Sequence, residues 1–318
     1  MSDAQYDLEW FRTRRRSVNW VHFHWVQSYY SGNSLPLTIK RGFELIGFIL
    51  RLRSMGFPLV WTCHNLFPHE PRSRAMDYLV RIALAHASRI VVVHSEAARG
   101  SVGRYFGRFR RVVTIRHGHF ADWYPGDVSR GDARRRLGIA EGAFVLLCFG
   151  VVRPYKGVEA LIDAVRSLPN RDVVLLVAGR PMTRAYGETL TARAAGDPRI
   201  CLRLGHVPDG EVRSYFRAAD LGVLPFRSIL TSGSLLLALS MGLPVIVPHV
   251  PSILEYVDGR SAYVMRPGED LAASIATARA RHERGDFAPG PDIVAWARSF
   301  EWDAAVAPLV ALLARPPA

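Results

Sequence analysis

Short apolar runs, bounded by glycine, proline and polar residues, alternate along this chain with stretches whose apolar positions recur at helical spacing. The first set of runs is Val18–Trp25, Pro58–Cys63, Arg89–His94 and Val112–Ile115, with helical patterns near 39–56, 71–87 and 95–106 between them. The second set is Ala143–Phe149, Asp172–Ala178, Ile200–Leu204, Leu221–Pro225, Pro244–Pro248 and Ala262–Met265, with helical patterns near 157–167, 183–196, 209–218, 233–241 and 268–284. Apolar runs of this length read as strands buried on both faces, and their alternation with helices predicts βαβ units and parallel sheets. A polar, arginine-rich stretch over 121–141, with Pro125, Gly126, Gly131 and Gly138, reads as the linker between the two sets. The pattern therefore predicts an α/β chain of two doubly wound domains with a cleft between them. The expected ranges are 1–125 for the first domain, 126–290 for the second, and 291–318 for alanine-rich helices packing back toward the first.

Composition sharpens this picture only in part. A chain of 318 residues, 49% hydrophobic, suits two domains with sizeable cores. Basic residues outnumber acidic ones, 41 to 28, for a net charge of +13. Lys40 and Lys156 are the only lysines. So arginine-rich a chain fits either a genome-wide compositional bias or an anionic partner: an anionic lipid, a nucleotide-linked substrate or nucleic acid. Nucleic acid is the least expected, because the cations are dispersed and no DNA- or RNA-binding motif occurs. Cys63, Cys148 and Cys201 are too few and too far apart for a disulfide framework and suit a reducing compartment. No metal-ligand spacing occurs, so no metal is expected. No apolar run long enough to cross a membrane is present, and none follows Arg14-Arg15-Arg16 that would make a signal peptide. The expected location is cytoplasmic, on the inner face of the membrane if 38–56 makes peripheral contact with it. That segment places Ile39, Phe43, Ile46, Ile49 and Leu50 at helical spacing, flanked by Lys40, Arg41, Arg51 and Arg53. It reads either as a basic amphipathic helix lying on a membrane or as a helix packed on its own sheet with a wet basic side.

Three places carry candidate chemistry. The apolar run Ala143–Phe149 ends at Gly150, and the loop that follows holds Arg153 and Lys156 before a helix opens near Gly157. Cations on a loop between a strand's carboxyl end and a helix's amino end form an anion site: the helix tip offers free N–H groups and a partial positive charge, and the side chains add full charges. The run Leu221–Pro225 leads through Thr231 to Ser232-Gly233-Ser234 and a leucine-rich helix. Ser232 or Thr231 could be a simple N-cap there. Paired with the Arg153/Lys156 loop, the Ser-Gly-Ser tip instead suggests a diphosphate held between two loops. In the first domain, Thr62-Cys63-His64-Asn65-Leu66-Phe67-Pro68-His69-Glu70 gathers two histidines, an amide and a carboxylate at a strand's end. His22, His24 and His94 lie at neighbouring strand ends and could reach the same edge. Histidine suits proton transfer near neutral pH.

These residues resemble the GT-B glycosyltransferases, closest to the large group that includes family 4. Arg153-Pro-Tyr-Lys156-Gly157-Val-Glu159 is similar to that group's diphosphate-gripping loop, which starts at Gly150. Val174–Gly179 with Arg180 matches its next strand and glycine turn. Gly205-His-Val207-Pro-Asp-Gly-Glu211 matches the turn whose backbone meets the nucleobase. Asp220–Pro225, Ala238–Val245 and Glu255–Gly259 match later motifs. The resemblance implies a hexosyltransferase of polysaccharide biosynthesis, with a nucleotide diphosphate sugar, GDP- or UDP-linked, as donor and no separate cofactor. The acceptor it implies is a saccharide or a lipid-linked saccharide. It places Gly150, Arg153, Lys156, Gly179, Arg180, Val207, Ser232, Gly233 and Ser234 around the donor, and His64 near the donor sugar. His64, Glu70 and His69 are the candidates for a catalytic base.

Two departures accompany the resemblance. Where the group carries a pair of glutamates around the phosphate-binding helix, this chain has Ile229 and Leu237. The Ser-Gly-Ser tip and the His64–Glu70 run instead resemble a subgroup with bacterial exopolysaccharide and β-mannosyltransferase members, so the sequence leaves both an inverting mechanism, which needs a base, and a retaining one, in which the donor's own phosphate oxygen could take the proton. The group's first strand and glycine-rich loop have no counterpart ahead of Val18–Trp25, so the first domain is expected to lack that βα unit and expose a sheet edge. This bears on whether the chain is active. The alternatives are an inactive GT-B module that binds a nucleotide or a membrane, and an epimerase or phosphorylase on the same fold.

Overall fold

A computed structural model describes residues 7–314, so the ends of two expected ranges, 1–6 and 315–318, lie outside the described residues. All ten apolar runs form strands: β1 Val21–Phe23, β2 Leu59–Thr62, β3 Ile90–Val93, β4 Val112–Thr114, β5 Phe144–Phe149, β6 Val173–Ala178, β7 Ile200–Arg203, β8 Leu221–Val223, β9 Val245–Pro248 and β10 Ala262–Met265. They make two parallel sheets, as an α/β chain requires. Packing divides the chain into two units at Arg116/His117 and at Trp302/Asp303.

The first unit holds a four-stranded sheet in chain order, β1-β2-β3-β4. β2 and β3 are fully buried, which explains their unbroken apolar sequences. Val60, Ile90, Val92 and Ile115 pack on one face against Ala305, Val306, Leu309 and Leu313 of the helix Trp302–Leu313, and Trp20 donates its indole N–H to the Leu313 carbonyl at 3.0 Å. The helix Leu35–Ser54 packs against Arg74–Ala87 and buries Thr38, Gly42, Leu45, Phe48, Ile49 and Leu52. Ile39, Phe43 and Leu50 stay exposed. The helix is thus apolar on two sides, and only one of them is used inside the unit.

The second unit holds a six-stranded sheet ordered β10-β9-β8-β5-β6-β7. Read from β7, this is the 3-2-1-4-5-6 order of a dinucleotide-binding fold, whose ligand crevice lies where the order reverses. That point is between β5 and β8. Apolar clusters cover both faces of the sheet.

Two expectations need adjustment. The stretch 121–141 is not simply a linker: Arg130–Leu137 is a helix, capped by the Ser129 side chain on the Asp132 N–H and closed by Gly138 in the left-handed region. It buries Ala133 and Arg134. An arginine filling a core position left no apolar period to read. The boundaries also fall elsewhere than 125/126 and 290/291. The helix Pro291–Arg298 packs on Gly233–Ser240 and so belongs to the second unit. Trp302 lies against Gly118 and donates to the His119 carbonyl at 2.9 Å, which ties 117–124 to that unit too.

Candidate active site

In the second unit the loops after β5 and β8 meet at the point where the strand order reverses. Gly150 closes β5 with φ +100°, donating its N–H to the Ala178 carbonyl at 2.9 Å. A side chain there would start 3.0 Å from Ser234 Oγ and 3.2 Å from Lys156 Nζ, so only glycine leaves that space open. The loop then makes a single tight turn, Pro154–Lys156, and Gly157 at φ +73° lies against the Pro225 carbonyl. The Arg227 N–H donates to the Tyr155 carbonyl at 2.9 Å and fastens the two loops together.

Lys156 Nζ donates to Ser234 Oγ at 2.9 Å and lies 3.5 Å from the Phe149 carbonyl. The residue is only 5% exposed. Burial pulls its proton affinity below the ordinary lysine value; Cys148 opposes this and the nearby Arg153 adds to it. Among the described residues no carboxylate forms an ion pair with it, so a buried cation stands beside a helix tip awaiting an anion. Ser232 is the N-cap of Gly233–Ser240 and accepts the Leu235 N–H at 3.1 Å. Its hydroxyl is committed to the helix, and the first-turn N–H groups of Gly233 and Ser234 remain for a ligand. Arg153 is exposed at the rim.

The turn after β6 joins the same wall. Gly179 has φ +142°, and a Cβ there would lie 2.1 Å from the Gly150 carbonyl oxygen. The Arg180 carbonyl accepts the Val152 N–H at 2.9 Å, and the Gly179 carbonyl accepts the Gly205 N–H at 3.2 Å. Arg180 is exposed, while Val207 packs half-buried on the core beside the last of these turns. Ile229 and Leu237, which occupy the positions of the absent glutamates, pack into the same core.

Sequence reasoning missed His117. A Cβ on Gly233 would lie 3.6 Å from His117 Nε2, which places this ring at the helix tip. Its Nδ1 bonds to the Gly118 carbonyl at 2.9 Å. A carbonyl only accepts, so Nδ1 carries the proton and Nε2 is the nitrogen turned to the tip. Burial lowers its proton affinity, with the Gly118 bond opposing. The signal available was a His-Gly-His run two residues after β4.

In the first unit the strand-end histidines converge as a chain. His94 Nδ1 bonds to the Ile115 carbonyl at 2.9 Å, His94 Nε2 meets His64 Nδ1 at 3.3 Å, and His64 Nε2 meets His24 Nδ1 at 3.0 Å. The carbonyl sets the direction: in neutral rings every Nδ1 is the donor, and the chain ends on His24 Nε2 as a basic lone pair. His22 lies beside His24, ring centres 4.0 Å apart, and bonds to Thr62 Oγ1 at 2.8 Å. Desolvation and then His24 push His22 down to about 4, although the residue keeps exposed surface; desolvation also lowers His24. Trp25, at φ +47°, stacks on His64 with ring centres 4.1 Å apart. Its segment is anchored by the buried Tyr30, whose hydroxyl donates to Asp77 and accepts from Arg81 at 2.8 Å. Glu70 is exposed outside this cluster, and His69 is half-buried farther along the loop. Among the described residues no group of three or more histidines, cysteines or carboxylates is placed to hold a metal ion.

Residues 143–281 match the family model described as "Glycosyl transferases group 1". The chain is 30% identical over 275 residues to a GDP-mannose:glycolipid 4-beta-D-mannosyltransferase of Xanthomonas campestris pv. campestris, covering 86% of this chain and 74% of that one. It is also 30% identical over 263 residues to a D-inositol 3-phosphate glycosyltransferase of Geodermatophilus obscurus, covering 75% and 57%. Among solved structures it resembles Anabaena Alr3699/HepE in complex with UDP and glucose, with a TM-score of 0.69, 22% identity, and 86% and 76% of the two chains covered. It also resembles a sucrose-phosphate synthase from Thermosynechococcus elongatus, with a TM-score of 0.70, 19% identity, and 95% and 75% covered. These likenesses establish the GT-B fold.

Proposed function

The chain belongs to the group 1 glycosyl transferases, and from that premise we propose that it moves a mannosyl group from GDP-mannose to a hydroxyl of a glycolipid. The observation that carries this reading is the buried Lys156 ammonium bonded to Ser234 at the tip of Gly233–Ser240, where the sheet order reverses. The donor's diphosphate lies against that tip. As the sugar–oxygen bond breaks, negative charge grows on the departing phosphate oxygen. Lys156, Arg153 and the N–H groups of Gly233 and Ser234 stabilise it without having to reorganise. The turns at Gly179-Arg180 and Val207 hold the nucleoside end. With Ile229 and Leu237 in place of two carboxylates, the ribose must be met by backbone or by other side chains.

A β-linked product made from an α-linked donor requires inversion, and inversion requires a base for the acceptor's proton. In this reading the histidine chain centred on His64 takes it, with the proton entering at the His24 end. Glu70 and His69, on the loop that follows, are the remaining candidates. Contact with the membrane that holds the glycolipid is made by the outward stripe of Ile39, Phe43 and Leu50 and its flanking Lys40, Arg41 and Arg51. No helix among the described residues is long and apolar enough to cross a membrane.

The test is transfer of labelled mannose or glucose from GDP-mannose or UDP-glucose into a lipid extract. GDP-mannose alone is expected to label the lipid phase. Lys156→Ala is expected to lower kcat by about 100-fold or more, as loss of one group facing a developing anion does. Transfer by Lys156→Ala at the wild-type rate would overturn the site. Labelling from UDP-glucose alone would overturn the donor.

A further inference from the structure

A second concentration of positive charge lies in the first unit, at the opposite ends of the strands from the histidines. A cavity of about 1150 Å3 opens where β2, β3 and β4 begin, beside Pro58, Leu59 and Ser88. Arg15, Arg53, Arg89, Arg99, Arg108, Arg110 and Arg111 line it, and no aspartate or glutamate does so among the described lining residues.

Part of this charge has a structural task. Helices Leu35–Ser54 and Arg74–Ala87 both end here and leave carbonyls unsatisfied. Arg15 Nε donates to the Met55 carbonyl at 2.8 Å, Arg53 to that of His86 at 2.6 Å, and Arg108 to that of Ser88 at 3.1 Å. Arg99 pairs with Glu96 at 3.7 Å on an exposed helix. Capping does not account for the remainder. The Arg108 Nε–H is buried and has no hydrogen-bond partner among the described residues. Its guanidinium is held below the usual arginine range, first by burial and then by the charges of Arg111 and Arg53. Arg111 adopts φ +56°, a strained conformation for a side-chain-bearing residue, and Arg110 and Arg111 are exposed at the cavity. Crowded guanidiniums, an orphaned buried N–H and a strained basic residue are a costly arrangement for an empty surface. A multivalent anion would relieve the repulsion and supply an acceptor for the orphan.

We propose that this basin is a second anion site, distinct from the donor pocket, and that it takes a phosphate-rich group with at least two phosphates or a cluster of phosphate monoesters and diesters. Planar guanidiniums match phosphate oxygens in pairs, and convergent arginines select multivalent over single charges. The same chemistry is offered by soluble polyphosphorylated molecules and by anionic lipid headgroups.

The test is calorimetric titration of the full chain with inorganic tripolyphosphate, alongside sedimentation with vesicles of phosphatidylcholine with and without phosphatidylglycerol. The variant pair Arg110→Ser/Arg111→Asn keeps a residue tolerant of the left-handed region at 111. It is expected to weaken binding about tenfold or more. Arg171→Ser/Arg260→Ser removes two exposed charges from the other unit and is expected to change binding less than about twofold, which controls for net charge. Arg99→Gln serves as the second variant should the pair fail to fold. Tripolyphosphate binding that depends on the basin identifies a soluble ligand; vesicle binding that depends on it identifies a headgroup. Failure to bind either probe overturns the proposal, as does binding that falls equally in the basin and control variants. Lys156→Ala is expected to leave the basin's affinity intact, so the donor pocket and the basin fail or stand separately.

Discussion

At the scale of single residues, this chain places charge where charge is expensive. Lys156 is buried beside a hydroxyl with no carboxylate paired to it among the described residues, and burial works against its protonated form. A neutral side chain of similar length should fit the unliganded protein better. Lys156→Met is therefore expected to raise the melting temperature of the ligand-free protein by about 2 °C or more while removing the shift that GDP gives the wild type. Differential scanning fluorimetry with and without GDP measures both. His22 gives a pH signature of the opposite sense to that of a paired histidine. Its folded value, about 4, lies below the 6.5 of an unfolded histidine. Between these values the unfolded chain binds a proton that the folded chain refuses, so stability present above about 6.5 is lost as pH falls toward 4. His24 and His117 are shifted the same way. Urea unfolding of His22→Asn should show a shallower loss over this window than the wild type. An identical slope would mean that His22 titrates normally when folded.

At the scale of elements, the site depends on backbone approaches that only glycine permits and on caps that other residues could supply. Gly179→Ala would push a Cβ into the Gly150 carbonyl and force an L side chain to φ +142°. It is expected to cost about 2–4 kcal/mol and to displace the loop that carries Arg153 and Lys156. Ser232→Ala removes one cap bond, worth about 1 kcal/mol, and should leave donor binding largely intact. Chemical denaturation and GDP titration of the two variants separate these roles. This scale also shows what the sequence can convey. Strands buried on both faces, such as β2, β3 and β8, must be apolar throughout and so were legible as runs. The Lys156 and Ser234 loops were legible because glycines and charges punctuate strand ends. The helix Arg130–Leu137 was hidden because its core-facing residue is Arg134, a charge where the period needs an apolar side chain. The histidine chain was half legible: each ring stood at a strand end, but its direction depends on the Ile115 carbonyl, which no sequence pattern marks. The arginine basin was invisible because its members are scattered from 15 to 111 and only the pairing of β2, β3 and β4 gathers them.

At the scale of the whole molecule, the open question is how far two separately cored units share one stability. Asp220 gives a way to ask it. It directly precedes β8, is buried, and accepts from Arg134 at 2.9 Å, from the Val145 N–H at 2.7 Å and from Arg130. Arg134 in turn donates to the Ala218 carbonyl at 3.1 Å and to the Glu141 carbonyl. One carboxylate thus joins β5, β8 and the helix Arg130–Leu137 at the middle of the second sheet. Asp220→Ala would leave the Arg134 guanidinium buried and uncompensated, a loss of about 3–5 kcal/mol. If the units open independently, hydrogen exchange in Asp220→Ala should accelerate at the amides of β5, β6 and β8 and leave β2 and β3 protected as before. Equal acceleration in both sheets would instead mean that the chain unfolds as one body. The first outcome would let the second unit loosen around a donor without disturbing the histidine chain. The second would tie the rigidity of the first sheet to a carboxylate in the second.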